Sequence, residues 1–299
     1  MTTNENKTLF ESGFTLVKNP AQSLVYNLVG RDGEIVHRNQ LFEDNLTPDR
    51  HPKDRSDGSV KICAEGDSWI DILWPLSSIL GYHRTFFDVI QERYPYNVEF
   101  AHPGDTFQQM LAEKQYQGSI QSGIYDFFIF SGGGNDFLGG GALYDYLKWK
   151  EDGGGSNDPS RYLYMDNFRW RLDTLRTGYF TIADEIATWT DNKTKMLVHG
   201  YDYPIPRKGE PWLGIQFASK GYDLVADQVL VANIITYIVD SFYSILADVE
   251  LRAPGRVVKL IDLRGVCANR WHDELHPKEP ASRDFADRFM QVIGPPNAS

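Results

Sequence analysis

The chain has few cysteines, only Cys63 and Cys267 in 299 residues. Two cysteines this far apart provide neither a disulfide framework nor the paired spacing of a structural zinc site. We therefore expect both to be small buried hydrophobic residues. The sequence also lacks an H-E-x-x-H pattern, a P-loop and clustered Cys and His, and its "SGGGND" run lacks the dinucleotide spacing. It accordingly predicts no metal and no cofactor.

Positive charge is also in short supply. The 30 Lys and Arg residues face 41 Asp and Glu residues, which gives a formal net charge of −11. A nucleic-acid or anionic-membrane partner requires a basic surface that displaces counterions, so the sequence predicts neither. With 41% hydrophobic and 24% charged residues, the composition is that of an ordinary globular protein.

The sequence has no long uninterrupted apolar run. The first residues, "MTTNENKTLFESGF", lack the apolar core of a secretory signal, so a cytoplasmic protein is expected, although a mature secreted form would look the same. The most apolar stretch begins at Leu230 and is interrupted by Asn233 and Asp240. It reads as too short and too interrupted for a membrane span, and we expect a buried amphipathic helix there.

The organisation along the chain changes near residue 55. Residues 1–55 are predicted to be a β-rich N-terminal extension and connector, because two β-prone runs flank a Gly-Arg-Asp-Gly turn at residues 30–33. A polar stretch with Pro, Asp and Gly then leads into one α/β domain over residues 56–299.

Within that domain, short apolar runs alternate with helical patterns. Each run has four to eight residues without strict alternation, which is typical of strands buried on both faces of a parallel sheet; the runs begin at Val60, Asn97, Tyr125, Lys195 and Val257. Helices are predicted at about 85–94, 106–116, 167–190, 219–251 and 282–293. The pattern predicts a three-layer α/β/α sandwich, with a mostly parallel five-stranded sheet in flavodoxin-like order and a small N-terminal β-hairpin.

An insertion at about 137–166 follows the third strand. Glycine clusters at 139–141 and 153–155 bracket an aromatic segment that contains Tyr144, Tyr146 and Trp149. Long loops of this kind are often functional, so two interpretations stand: a lid over a site, or a surface excursion.

Polar residues follow four of the predicted strands. Ser68 follows the first, Gly104 the second, Asn135 the third, and Asp273 with His276 the fifth. Ligands of open parallel sheets bind beyond the carboxyl ends of the strands, and this set has the parts of serine-type acyl transfer. Taken singly, the serine could instead cap a helix, the glycine could form a turn and the asparagine an Asx-turn.

Four sequence blocks resemble those of the SGNH, or GDSL-type, hydrolase family. In chain order the blocks are Gly66-Asp67-Ser68, Gly104, Gly134-Asn135-Asp136 and Asp273-x-x-His276-Pro277. The resemblance extends from about residue 58 to the C-terminus and excludes the first 55 residues. Three features depart from the family pattern. Trp69 stands where the GDSL motif has leucine, and the insertion and the N-terminal hairpin are further departures.

The resemblance implies a role for each matched residue. Ser68 would be the nucleophile, His276 the base that takes its proton, and Asp273 the group that orients the imidazole. The oxyanion hole would comprise the backbone N–H groups of Ser68 and Gly104 and the side-chain amide of Asn135.

Other polar residues near these blocks are candidates for the same roles. His272 could replace His276, but Pro277 matches the family and favours His276. His199 and Asp202 form another Asp/His pair after the fourth strand, and we expect them to line the pocket or to pack.

The implied activity is a cofactor-free, serine-dependent ester hydrolase that works through an acyl-enzyme. Its substrate would be a small-molecule, glycan or lipid ester, with Trp69 and Trp271 as candidate substrate-binding residues and the aromatics of the insertion as further walls. An acyltransferase that uses the same acyl-enzyme is the first alternative, and a non-catalytic binding module on the same scaffold is the second. The sequence leaves the acyl group, the alcohol and the oligomeric state open.

Overall fold

The computed structural model describes residues 58–72, 84–139 and 141–296, together with the backbone of three strands nearer the N-terminus. These are β1 (Thr15–Lys18), β2 (Tyr26–Val29) and β3 (Ile35–Val36), which form an antiparallel sheet in that order. The predicted hairpin is confirmed, because β2 and β3 pair across residues 30–34, whereas β1 was not predicted. The polar connector at 47–57 lies outside the described residues, and the domain boundary near 55 stays a prediction.

The main sheet has five strands, all parallel. They are β4 (Lys61–Gly66), β5 (Tyr96–Glu99), β6 (Phe127–Ser131), β7 (Lys195–His199) and β8 (Val258–Ile261), arranged β5-β4-β6-β7-β8. This is the flavodoxin-like order that the sequence predicts, with the first strand of the domain between the second and the third.

Burial follows position in the sheet. Every residue of β4, a central strand, is buried, and so are four of the five residues of β6 and of β7. The edge strands β5 and β8 keep exposed or half-exposed positions. A strand covered on both faces reads as a continuous apolar run, which is why these strands were visible in the sequence.

Helices cover both faces of the sheet, so the predicted three-layer α/β/α fold is confirmed. Their bounds are α1 (Phe86–Arg93), α2 (Phe107–Glu113), α3 (Gln117–Gln121), α4 (Gly134–Phe137), α5 (Met165–Thr190), α6 (Gly214–Ser219), α7 (Gln228–Arg252) and α8 (Glu279–Ile293). Helix α1 packs against α8, where Phe86 stacks on Phe289 with ring centroids 4.7 Å apart. Helix α5 packs against α7.

Two predicted helices were wrong in their extent. The prediction at 106–116 continues past the end of α2, where Lys114 takes a left-handed conformation with φ 46° before α3 begins. The prediction at 219–251 joins two elements, since α6 ends at Ser219 and α7 begins at Gln228. Between them, Gly221 has φ 83°, a left-handed conformation that a continuous helix cannot contain.

Helix α7 is longer than the apolar stretch recognised in the sequence. It has 25 residues, and its most apolar part has a mean hydropathy of 1.7 with 44% of that part buried, so in length and composition it could cross a membrane. Its buried residues, among them Ile234, Ile238 and Phe242, belong to the core, and the helix contacts β7 and β8. A core helix of an α/β domain has these same properties.

The insertion at 137–166 is folded onto the domain. Three short 3₁₀ turns at 142–145, 150–153 and 159–162 form it, and an antiparallel bridge joins Leu147 to Leu163. Leu143, Tyr146 and Leu147 are fully buried. The segment is therefore attached to the core through its own apolar side chains.

Candidate active site

The turn that follows β4 is built around a glycine. A Cβ atom on Gly66 would lie 2.6 Å from the Ile70 side chain and 2.8 Å from the Ser131 carbonyl oxygen, distances that real Cβ atoms do not tolerate. Glycine therefore lets the backbone pass against the end of β6. The next peptide is fixed by a 3.1 Å hydrogen bond from the Asp67 N–H to the Ser131 carbonyl, and Ser68 follows at the edge of the sheet.

Asp67 holds this turn through a buried hydrogen-bond network. Its carboxylate accepts hydrogen bonds from the Trp69 N–H at 3.0 Å, the Ser131 hydroxyl at 3.1 Å and the Tyr201 hydroxyl at 2.5 Å. Burial raises the pKa of Asp67 to about 6, although these three hydrogen bonds act in the opposite direction. Through these hydrogen bonds the carboxylate fixes the loop that carries Ser68.

Three of the predicted site residues form a continuous hydrogen-bonded chain. Ser68 Oγ lies 2.8 Å from His276 Nε2, and His276 Nδ1 lies 2.8 Å from Asp273 Oδ2 and 3.0 Å from Oδ1. Ser68 and His276 are only 7% and 3% exposed, so the contact is shielded from bulk water. The geometry expected of a nucleophile, its base and an orienting carboxylate is therefore present, with hydrogen-bond reach at both steps.

The Asp273 carboxylate is fixed from its own loop. Its Oδ1 accepts the backbone N–H groups of Leu275 and His276, both at 2.8 Å, so the loop turns around this side chain. Burial alone would raise the pKa of Asp273, but the charge and hydrogen bond of His276 and these N–H groups lower it to about 2. Asp273 therefore remains a carboxylate at neutral and mildly acidic pH.

The two predicted oxyanion-hole loops are tied to each other. Gly104 has φ 89°, a conformation that favours glycine, and it lines the same cleft as Asn135. The Asn135 amide donates to the Asp105 carbonyl at 2.8 Å, and a primary amide has a second N–H that can donate to a substrate oxygen. Asp136 accepts the Phe107 N–H at 2.8 Å, at the start of α2, and so braces the loop.

The tryptophan after the nucleophile connects the first and last parts of the site. The Trp69 indole N–H donates to the Leu275 carbonyl at 3.1 Å, and its ring contacts Trp271 at 6.2 Å and Phe285 at 5.3 Å between centroids. Trp69 and Trp271 both line the cleft while being 5% and 2% exposed. Their fit to a substrate stays a prediction, but Trp69 evidently packs the nucleophile turn against the histidine loop.

The competing residues have other partners or surroundings in the fold. His272 contributes its backbone N–H to the His276 carbonyl at 2.8 Å. His199 is fully buried, and burial lowers its pKa to about 3, so it is a neutral core residue. Asp202 accepts the N–H groups of Gly265 and Cys267, both at 2.6 Å, and thereby anchors the chain after β8.

The site opens into a cleft of about 770 Å³. Ser68, His276, Gly104 and Asn135 line it together with residues of the insertion near 138–145. The three aromatics expected as walls are elsewhere: the Tyr146 ring is buried with its hydroxyl on the Phe137 carbonyl, while Tyr144 and Trp149 lie at the surface around the Lys220 ammonium. That part of the wall prediction was wrong, because one ring completes the core and the other two pair with a cation.

Two further residues of the site were missed in the sequence. Tyr201 follows β7, has φ 67°, and carries the hydroxyl that Asp67 accepts. Glu274 lies inside the Asp273–His276 motif and is fully buried. Neither residue has a local signal in the sequence, since their partners are 60 or more positions away.

Neither cysteine belongs to the site, and both are free and buried, as predicted. Over the ranges that the structure describes, no three His, Cys, Asp or Glu side chains converge as metal ligands. The absence of a cofactor stays a prediction.

No protein-family model and no curated protein matches the chain. Among solved structures, an extracellular lipase from Streptomyces rimosus is 14% identical, with 78% of this chain and 99% of that chain covered and a TM-score of 0.46. A putative acylhydrolase from Bacteroides fragilis is 12% identical over 86% of this chain and 94% of its own, with a TM-score of 0.44. A catalytic mutant of an acetylxylan esterase from Geobacillus stearothermophilus is 14% identical over 81% and 97%, with a TM-score of 0.39.

Proposed function

We propose that the chain is a carboxylic ester hydrolase of the SGNH type that forms an acyl-enzyme on Ser68. The observation that carries the proposal is the hydrogen-bonded chain from Ser68 through His276 to Asp273, at the carboxyl edge of a parallel sheet and in the wall of a cleft. The four sequence blocks that resemble the family support the same activity.

In the first half of the reaction, Ser68 Oγ attacks the ester carbonyl carbon while His276 Nε2 takes the hydroxyl proton. The carbon–oxygen bond to the alcohol then breaks, and the departing oxygen receives that proton from His276. Asp273 accepts from Nδ1 throughout, which keeps Nε2 free to accept and stabilises the imidazolium.

In the second half, water replaces the alcohol. Its oxygen attacks the acyl carbon, its proton passes to His276, and Ser68 regains a proton as the carboxylic acid leaves. In both halves, negative charge develops on the former carbonyl oxygen. The N–H groups of Ser68 and Gly104 and the Asn135 amide are the proposed donors, each worth about 3 kcal/mol in enzymes of this chemistry.

Covalent labelling tests the proposal directly. A fluorophosphonate should form an adduct that mass spectrometry locates on Ser68, and Ser68→Ala should abolish both the adduct and ester hydrolysis while keeping the fold. Ser244→Ala, which removes an exposed hydroxyl on α7, is the matched control and should keep both. An adduct on another serine, with hydrolysis persisting in Ser68→Ala, would refute the assignment.

Chromogenic esters from acetyl to palmitoyl, together with acetylated sugars, would identify the acyl group and the alcohol. Adding an alcohol to the same reactions separates hydrolase from acyltransferase. A hydrolase partitions the acyl group to water, whereas the transferase alternative would give mainly the new ester.

A further inference from the structure

Outside the proposed triad, the side chain of Glu274 accepts four backbone N–H groups. It lies in the loop between Asp273 and His276 and is 0% exposed. Oε1 accepts the N–H groups of Arg207 at 2.6 Å and Gly214 at 2.7 Å, and Oε2 accepts those of Trp212 at 3.0 Å and Leu213 at 2.9 Å.

Both oxygens act as acceptors twice, which is the pattern of a carboxylate and of no other side chain. An amide in this place would present its NH₂ group to two N–H donors, whichever way it was turned. A shape-conserving change to glutamine therefore disrupts the arrangement, because donors would meet donors.

The same segment holds the histidine loop at a second point. The Arg207 guanidinium donates to the carbonyls of Trp271 at 3.1 Å and His272 at 2.9 Å. The backbone is closely packed at Gly214, since a Cβ atom there would lie 1.7 Å from the Arg207 carbonyl oxygen. Residues 207–214 thus contact the loop that carries the base at Trp271, His272 and Glu274.

That segment also forms part of the cleft, through Pro211 and Trp212. A substrate that contacts this wall therefore contacts the segment whose N–H groups bind Glu274. The His276 ring binds Ser68 through Nε2 and Asp273 through Nδ1, and both contacts need its loop to be correctly placed.

We infer that Glu274 is a positioning residue: by binding four backbone N–H groups of residues 207–214 it sets the loop that holds His276 against Ser68. This role rests on the proposed function, since it concerns the base of that reaction. A displacement of about 1 Å in such a group typically lowers the rate about 100-fold.

Glu274→Gln tests the role in the full-length protein. We expect kcat for an acetyl ester and the rate of fluorophosphonate labelling at Ser68 each to fall about 100-fold, with KM changed less than about threefold. Asp88→Asn is the matched control, because Asp88 is also a buried carboxylate that binds backbone N–H at a helix start, in α1 and away from the cleft. It should lower thermal stability and leave kcat within about twofold.

Two further measurements keep the test decisive if Glu274→Gln folds poorly. Arg207→Met removes the guanidinium charge and its two hydrogen bonds to the loop but keeps the backbone N–H that Glu274 accepts, and a roughly tenfold loss of kcat is expected. In proton NMR, the low-field signal of the His276–Asp273 hydrogen bond should be present in the parent and in Asp88→Asn, and weakened or lost in Arg207→Met.

The outcomes separate the two claims. A parent protein that labels at Ser68 and hydrolyses esters, with full kcat in folded Glu274→Gln, would overturn the positioning role and leave the proposed function intact. Where Glu274→Gln does not fold, full kcat in Arg207→Met together with an unchanged low-field signal would overturn it. A rise in KM alone would make residues 207–214 a substrate wall and would also overturn it. A parent that neither labels nor hydrolyses would refute both.

Discussion

Glu65 provides a prediction whose magnitude follows from its surroundings. It lies in β4, is 2% exposed, and within the described part of the chain its Oε2 has no hydrogen-bond partner. Burial, followed by the nearby charges of Asp105 and Glu113, raises its pKa from 4.5 to about 9. At neutral pH the folded protein therefore holds this side chain as the neutral acid.

A raised carboxyl pKa makes stability depend on pH in one direction. Between pH 4.5 and 9 the folded state binds a proton that the unfolded state has released, so this contribution to stability is fully present below 4.5 and is lost as the pH rises towards 9. Each pH unit in that window costs about 1.4 kcal/mol, so the 2.5 units from about pH 5.5 to 8 cost roughly 3 kcal/mol.

Glu65→Gln replaces the neutral acid by a group of the same shape that does not titrate. The difference in free energy of unfolding, variant minus parent, should therefore rise by roughly 3 kcal/mol from pH 5.5 to pH 8. Urea titrations at the two pH values measure the difference, and the exposed Glu151→Gln in the insertion is the control, for which the difference should not change. A Glu65→Gln difference that is the same at both pH values would show that Glu65 is ionised in the fold and would refute the reasoning.

Four further outcomes are expected. Asn135→Ala should lower kcat about 100- to 1000-fold with little change in KM, because its amide acts mainly on the developing charge; a raised KM with unchanged kcat in steady-state kinetics would make it a binding residue instead. Asp273→Asn places an NH₂ group beside His276 Nδ1 and favours the wrong tautomer, so kcat should fall about 10⁴-fold with an unchanged circular dichroism spectrum; a loss below tenfold would contradict this role. His276→Ala should abolish hydrolysis while His272→Ala keeps most of it, and the reverse ranking in the same assay would exchange the two. His199→Phe should reduce the loss of stability at acidic pH. Burial lowers the pKa of His199 to about 3, so below about pH 6.5 the folded state binds fewer protons than the unfolded state and loses about 2 kcal/mol of stability by pH 5. Urea titrations at pH 5 and 7.5 that show equal losses of stability in variant and parent would contradict this expectation.

The parts of the fold that could be predicted are those with a local cause. The strands were visible because a strand covered on both faces must be apolar throughout, as every residue of β4 is buried. Their parallel order followed from the alternation with helices. Ser68, Asn135 and the Asp273–His276 pair were found because parallel strands end at one edge, which brings residues distant in sequence together.

The remainder depends on contacts that no local pattern encodes. Nothing near Tyr201 indicates that its hydroxyl binds Asp67, and nothing near Glu274 indicates that residues 207–214 turn their N–H groups towards it. The aromatic wall was mispredicted for a similar reason. Tyr146 and Trp149 are equally aromatic in the sequence, but only the three-dimensional packing places one in the core and the other beside Lys220.

The distance along the chain between Ser68 and His276, 208 positions, has a consequence for the making of this protein. Ser68, the proposed nucleophile, leaves the ribosome with the first strand of the domain, whereas His276, its proposed base, follows only after all five strands have been synthesised. Under the proposed mechanism, a nascent chain that still lacks His276 holds Ser68 without its base and would not form an acyl-enzyme. Return of hydrolysis after denaturation would accordingly require that the first strand of the domain and the loop after its fifth strand have come together.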